Sequence, residues 1–429
     1  MKHLYVHVPF CRSRCAYCDF ASEPVGPHAR AGRVERYLSA LRAELQARVG
    51  AAVNLRPEEQ CETIYLGGGT PTVLPRELLL EVVGDLAARL APAAKLGDAA
   101  LGRSGDAALQ STECGGAVRG GAAAEAAAPE FTIEANPGTV DADLLSALAA
   151  AGVTRLSLGI QSFAPALRAA LGRRVEQREI EATLDAIRSA GWREWNLDLV
   201  FGIPGQTWEA AAADIDAAAA AGPTHISLYD LTYTARYTGH VERNLGGGAS
   251  GAAATFAEER FGRAVARLEA AGYRRYEVSN FALPGHQCRH NQAYWRGEDY
   301  VGIGVSAVST VDGERRTNPR TVGAYLAGEA PEIEVLSAET KLWEKAMLGL
   351  RTREGIDLVE TGPVLDREAV ERLRQQGVVE GCCGKLRLNK GFVDVSNAII
   401  VALLVRPGGS RELDSLEPQS TSQAGMHVD

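Results

Sequence analysis

Six short β-rich runs, spaced along the first half of the chain and mostly followed by helix-like stretches, limit the architectures open to this 429-residue sequence. The runs are Leu4–Phe10, Glu62–Leu66, Glu130–Ala135, Arg155–Ile160, Trp195–Phe201 and His225–Tyr229. Between them lie amphipathic or Ala-rich segments: 29–49 with Leu38, Leu41, Leu45 and Val49 near one face, a second ending at Leu90, then Ala142–Ala151, Arg178–Ala190 and Thr207–Ala221. Alternation of this kind gives a parallel sheet joined by right-handed crossovers. Six units fall short of a closed eight-stranded barrel.

The alternation is interrupted and then lost. Residues 91–129 are rich in Ala and Gly and carry few large apolar groups, so we expect an insertion that is disordered or weakly helical, with Cys114 a bystander. A Gly/Ala stretch, Gly246–Ala254, precedes a helix reaching Ala271. The expected division is a β/α unit over 1–240, a connecting segment over 241–310, a C-terminal helical domain over 311–405 and a disordered tail over 406–429. Within the C-terminal part, helices near Ala338–Thr352 and Asp366–Gln376, a strand at Leu386–Leu388 and a final apolar helix near Ser396–Leu404 have the order of a small winged-helix-like module.

Charge and cysteine usage exclude several classes. A net charge of −9 argues against a nucleic-acid binder, which needs a basic footprint, and extends to the winged-helix-like module. No run of 18 apolar residues is present to span a bilayer. The N-terminal residues have no apolar signal core, which points to the cytoplasm. Eight cysteines are too few and too scattered for a disulfide scaffold, and a reducing compartment suits an iron–sulfur site.

Chemistry concentrates directly after the first strand. Cys11, Cys15 and Cys18 form a C-x3-C-x2-C spacing. Three thiolates on one loop can grip three irons of a [4Fe–4S] cluster and leave the fourth open. A structural zinc wants four ligands, and no fourth Cys or His is close in sequence; an odd number argues against disulfides. Three unrelated cysteines remain the plain alternative. After the second strand comes Gly67–Thr72, GGGTPT, either a tight turn or a loop whose backbone approaches a ligand closely. Glu134 closes the third strand and Asp198 lies in the fifth, where acids accept hydrogen bonds from ribose hydroxyls. Gln161 and Arg173 follow the fourth, and an Arg there can hold a carboxylate. By residue type alone each of these four is as readily structural.

The loop CRSRCAYC, with Tyr5, His7, Pro9, Phe10, Tyr17, Asp19 and Phe20 around it, resembles the radical S-adenosylmethionine (radical SAM) superfamily. The fuller string is similar to the group that contains oxygen-independent coproporphyrinogen III oxidases and the HemW-like heme chaperones. The resemblance implies an α/β fold, a partial (β/α)6 TIM-type barrel, with a smaller α+β C-terminal domain. EANPGT, LSLGIQSF and NLDLVFGIPGQT look like the family's S-adenosylmethionine-contacting segments. Carried over residue by residue, the cofactor-binding set is Tyr5, Tyr17, Gly68, Gly69, Thr70, Glu134, Gln161, Arg173 and Asp198, with Cys11, Cys15 and Cys18 on the metal; no catalytic side chain is singled out. The implied chemistry is chelation of the open iron by the methionyl group and one-electron scission of the sulfur–C5′ bond, which requires an electron donor.

Three features separate the two branches. The oxidase pattern has a further cysteine where this chain has Phe20. It also has a longer arm before the cluster, whereas Cys11 is almost at the start. His290–Trp295, HNQAYW, looks like the HNxxYW signature of the chaperones. A His flanked by aromatics suits heme, so His290 is the expected heme contact, with Cys288 a second-ligand candidate whose simpler reading is a buried thiol. Two segments depart from the family: Thr234–Thr238 stands where a Glu-Pro-Gly-Thr turn is usual, and Val305–Val308 where Pro-Gly-Ala-His is usual. The resemblance therefore implies a heme chaperone that binds a [4Fe–4S] cluster, S-adenosyl-L-methionine and heme and passes heme to acceptor hemoproteins. Coproporphyrinogen III oxidation is the alternative, and enzymatic activity stays open. A degenerate scaffold lacking the cluster is the third reading.

Overall fold

The computed structural model describes residues 2–25, 31–49, 61–90, 128–244 and 253–405. The expectations for most of 91–129, for Cys114, for most of Gly246–Ala254 and for the 406–429 tail lie outside the described residues.

The six expected strands are present: β1 (His3–Val8), β2 (Thr63–Gly68), β3 (Glu130–Ala135), β4 (Arg155–Gln161), β5 (Trp195–Phe201) and β6 (His225–Asp230). They pair in chain order, every neighbour parallel. The intervening helices are α1 (Ala31–Val49), α2 (Arg76–Leu90), α3 (Ala142–Ala150), α4 (Gln177–Ser189) and α5 (Trp208–Ala221), followed by α6 (Ala235–Asn244) and α7 (Ala253–Ala270). The strands alternate strictly in chemistry. Leu4, Val6, Ile64, Leu66, Phe131 and Ile133 are fully buried in the main core, which also holds Leu38, Leu41 and Leu45 of α1. The other face carries His3, Tyr5, His7, Thr63, Tyr65, Thr132, Glu134, Asn196 and Asp198. Polar groups on an inner face point to a partial barrel built around a site.

The sheet is larger than the sequence indicates. Among the described residues it has twelve strands, adding β7 (Arg274–Arg275), β8 (Asn280–Ala282), β9 (Tyr300–Ile303), β10 (Val308–Val311), β11 (Glu314–Thr317) and β12 (Glu332–Val335), in the order β12-β11-β10-β9-β1-β2-β3-β4-β5-β6-β8-β7. β9 lies parallel to β1, and β8 runs antiparallel to β6, so β1 and β6 do not meet and the barrel stays open. Between β8 and β9 lies α8 (Arg289–Trp295).

A second core, containing Ala346, Leu350, Ile356, Leu386, Ile400 and Leu403, belongs to a C-terminal module. It comprises α9 (Ala338–Gly349), β13 (Ile356–Asp357), α10 (Arg367–Gln375), β14 (Val379–Cys382), β15 (Lys385–Leu388) and α11 (Ser396–Leu403), with strand order β13-β15-β14. The expectation of a helical domain beginning at 311 does not fit this arrangement. Strands β11 and β12 are hydrogen-bonded into the main sheet, and the module has a three-stranded sheet of its own. We propose that the boundary lies just after Val335.

Candidate cluster and cofactor site

The cysteine loop is pinned on several sides. Glu23 N donates to Pro9 O at 2.7 Å, Ala16 N to Leu171 O at 3.0 Å and Arg236 Nη1 to Cys18 O at 2.9 Å. His7 Nε2 lies 3.0 Å from Ala21 O. The loop thus leaves β1 and folds over the carboxyl ends of the strands, where ligands sit in parallel β/α folds.

A cavity of about 390 Å³ opens beneath it. Cys11, Cys15 and Cys18 line it, and so do Tyr17, Gly68, Gly69, Thr70, Glu134, Gln161, Arg173 and Asp198. Residues 11 to 198 of the sequence therefore meet at one mouth. The glycine triplet is required by close packing. A Cβ at Gly69 would lie 2.6 Å from the Phe10 carbonyl oxygen, and one at Gly67 would lie 2.6 Å from the Glu134 carboxylate. Gly68 has φ +108° and would meet the His7 ring at 2.5 Å. Its N–H donates to Glu134 Oε2 at 3.0 Å.

The sulfurs are tied into a polar chain. Thr70 Oγ1 donates to Cys11 Sγ at 3.6 Å, and Arg173 Nη1 to Cys15 Sγ at 3.7 Å. Asn136 joins the two branches: its Nδ2 donates to Thr70 Oγ1 at 2.6 Å and its Oδ1 accepts from Arg173 Nη2 at 2.5 Å. Arg173 Nη2 also donates to the Gly159 carbonyl. Burial alone would lower the Arg173 pKa, but Tyr17 and Cys15 more than offset it and hold the guanidinium above its ordinary value. Burial likewise pushes the Tyr17 phenol well above its ordinary value and raises the Cys11 thiol, the latter against hydrogen bonds from Thr70 and Ser22. Gln161 sits at φ +73° where the β4–β5 register shifts, a left-handed backbone held by the site around it. Asp198 accepts from Asn196 Nδ2 at 2.5 Å.

These residues fit a cluster with an adjoining anionic and ribose-bearing ligand. Among the described residues no three His, Cys, Asp or Glu side chains converge on a single metal ion. A cubane binds each thiolate on a separate iron, so it wants three sulfurs spread around a cavity wall rather than converged. Arg173 lines the cavity, and its buried Nε has no hydrogen-bond acceptor among the described residues.

Asn136 is the residue the sequence reading missed. NPGT looks like a turn, and nothing in it announces a link between two cysteines. The available signal was Gly159 inside a strand, since a glycine there marks a close approach. Its Cβ would lie 2.9 Å from Asn136 Oδ1.

Two expected contacts are not brought to this cavity. Tyr5 Oη lies 3.0 Å from His7 Nδ1, and its ring stacks on Tyr65 at 6.1 Å, inside the barrel. His290 is 2% exposed at the amino ends of the strands. Its Nδ1 lies 2.7 Å from Thr63 Oγ1, and its ring packs 5.1 Å from Tyr65. Glu130 fixes α8 there, accepting from Arg289 N and His290 N at 3.0 Å each and from Cys288 Sγ at 3.3 Å. Burial drives the His290 pKa down to about 3, and it raises that of Cys288. In this conformation the imidazole is enclosed by the barrel's own side chains, and its buried Nε2 has no hydrogen-bond partner among the described residues. Cys288 is a buried thiol.

Comparison with known proteins gives a consistent pattern. The family model of the radical SAM superfamily matches residues 5–218. A heme chaperone HemW of Synechocystis sp. is 34% identical over 384 residues, 86% of this chain and 82% of that protein. The heme chaperone HemW of Escherichia coli is 33% identical over 411 residues, covering 90% and 96%. Among solved structures, the coproporphyrinogen III oxidase HemN of Escherichia coli, a radical SAM enzyme, superposes with a TM-score of 0.72 at 20% identity, over 93% of this chain and 89% of that one. That likeness concerns the fold.

Proposed function

Because the chain belongs to the radical SAM superfamily and, within it, to the HemW-like heme chaperones, we propose that it holds a [4Fe–4S] cluster, S-adenosyl-L-methionine and heme, and delivers heme to acceptor hemoproteins. The observation that carries the cofactor half of this reading is the convergence of three thiols, the Gly68–Thr70 loop, Glu134, Gln161, Arg173 and Asp198 on one cavity.

Cys11, Cys15 and Cys18 would each hold one iron. The cluster, when bound, supplies one-electron reduction of the sulfonium. The chain's own residues orient and exclude water. Arg173, fixed by Asn136 and the Gly159 carbonyl, presents its guanidinium to a methionyl carboxylate. Glu134, which accepts from Gly68 N, and Asp198, which accepts from Asn196 Nδ2 and Ser157 Oγ, would present their carboxylates to ribose hydroxyls. The Gly67–Gly69 backbone lets the ligand approach without a Cβ in the way. Among the described residues no helix is long and apolar enough to cross a membrane. We place the protein's work in the cytoplasm, with a separate electron donor and no nucleic-acid partner.

The test is anaerobic reconstitution with iron and sulfide, followed on one sample by iron analysis, S-adenosylmethionine binding, hemin titration and transfer to an apo-hemoprotein. The expected result is cluster absorption at roughly 400 nm, saturable hemin binding and hemin transfer. Protoporphyrinogen IX formed from coproporphyrinogen III in the presence of a reductant would overturn the chaperone assignment in favour of the oxidase.

A further inference from the structure

A second cavity, of about 780 Å³, lies on the other side of the cysteine loop. It is bounded by that loop, by strands β9 to β12 and by α9 of the C-terminal module. Arg14, Asp19, Phe20 and Ser22 line both cavities, so the loop is the partition between them. Phe20 therefore stands at the wall. Val305, Ser306 and Val308, the segment that departs from the family pattern, line the second cavity as well.

The HNQAYW segment reaches this second cavity through Tyr294. His290 stands behind it, its ring 5.0 Å from that of Tyr294 in an edge-on contact. Tyr294 in turn packs on Tyr300 at 4.3 Å, and together with Phe20, Val322 and Met347 they give the cavity an apolar wall. The volume falls within the range of pockets that enclose flat, drug-sized ligands, roughly 300–1,000 Å³.

The charges are equally specific. Lys341 is paired with Asp299 and Lys345 with Glu360, and Arg315 is held by Glu334 and Glu344. Among the described residues Arg14 and Arg320 form no ion pair, and both line the cavity. Of the carboxylates on the wall, Glu23 is paired with Arg33 and Glu298 with Arg296. Among the described residues Asp19 and Glu332 have no such partner, and they oppose an anion.

Resting on the heme-chaperone reading, we propose that the tetrapyrrole docks in this second cavity, its ring against Tyr294 and Tyr300 and its carboxylates on Arg14 and Arg320, with His290 outside the site. Aromatic faces suit the macrocycle, and arginines suit carboxylates through paired N–H donors. A macrocycle here shares only the cysteine loop with the adenosyl site, so one loop touches both ligands.

The test is hemin titration of the full-length, reconstituted protein, read by Soret absorbance and by quenching of tyrosine and tryptophan emission. Arg320→Glu, an exposed change that leaves both cores intact, should weaken hemin binding roughly tenfold, the scale of losing an exposed ion pair and gaining a repulsion. Glu332→Gln should tighten it, and Tyr294→Leu should weaken it more than His290→Gln does. Parental affinity in both Arg320→Glu and Arg14→Glu, with binding lost in His290→Gln, would sink this site while leaving the chaperone reading standing. Failure of the parent itself to bind hemin would remove both.

Discussion

The two ends of the six-stranded parallel set are made of the same residue types and do opposite things. At the carboxyl ends, Glu134, Asp198, Gln161 and Arg173 face an open cavity beneath the cysteine loop. At the amino ends, His3, Thr63 and Tyr65 pack against His290 of α8: His3 Nδ1 lies 3.0 Å from Thr63 Oγ1, Thr63 Oγ1 lies 2.7 Å from His290 Nδ1, and His3 Nε2 lies 3.1 Å from Glu298. The same strands run through both ends, so the difference lies in what covers each. A loop leaves room, whereas a helix seated on Glu130 fills it. A polar inner face thus marks a site only where the chain stops packing against it.

The largest effect that would break this contrast is at the cluster. Cys15→Ser, reconstituted anaerobically, should lose iron and the absorption at roughly 400 nm, while its circular dichroism stays that of the parent. Iron retained at the parental level would mean that the mouth is only a cleft. Next comes the glycine support. Gly69→Ala forces a methyl group against the Phe10 backbone and should cost about 1–3 kcal/mol of stability while lowering cluster yield. The companion change is Gly84→Ala in α2, where nothing lies within 4 Å of an added Cβ. It should stabilise by about 0.5–1 kcal/mol. Equal penalties in urea titrations would mean that the triplet is not specially constrained.

The parallel set was legible because its signal is local: each strand carries its own apolar run, and each crossover its own helix. The cysteines and GGGTPT were legible because spacing and chain position put both at carboxyl ends. β9 was not. YVGI is four residues long, and its place beside β1 depends on a partner nearly 300 positions away. Asn136 was hidden because its role lies in bridging Thr70 and Arg173, which no local pattern encodes. Tyr5 and His290, which do not line the first cavity, show the converse. Their residue types fit a ligand site, but alternation along β1 and the seating of α8 decide which end of the barrel they serve. Phe20 was read for the cysteine it replaces, although its position in the wall between two cavities is equally informative.

The smallest effect sharpens the comparison from the filled end, through two buried titratable groups of opposite sign. His290 is neutral in the fold, its pKa about 3 against 6.5 in an unfolded chain. The unfolded state therefore binds the extra proton between those values, and stability falls as pH drops from 6.5 towards 3. Glu277 beside Tyr276, whose hydroxyl lies 2.8 Å from His225 Nε2, is raised by burial from 4.5 to about 7. Here the folded state binds the extra proton, so stability falls as pH rises from 4.5 to 7. Each contribution is on the order of a few kcal/mol. Urea unfolding of His290→Gln should flatten only the loss of stability towards acid, and Glu277→Gln only the loss of stability as pH rises from 4.5 to 7. If His290→Gln left the acid limb unchanged, the imidazole would already be solvated or protonated in the fold. The amino end would then be open to a ligand, as the carboxyl end is.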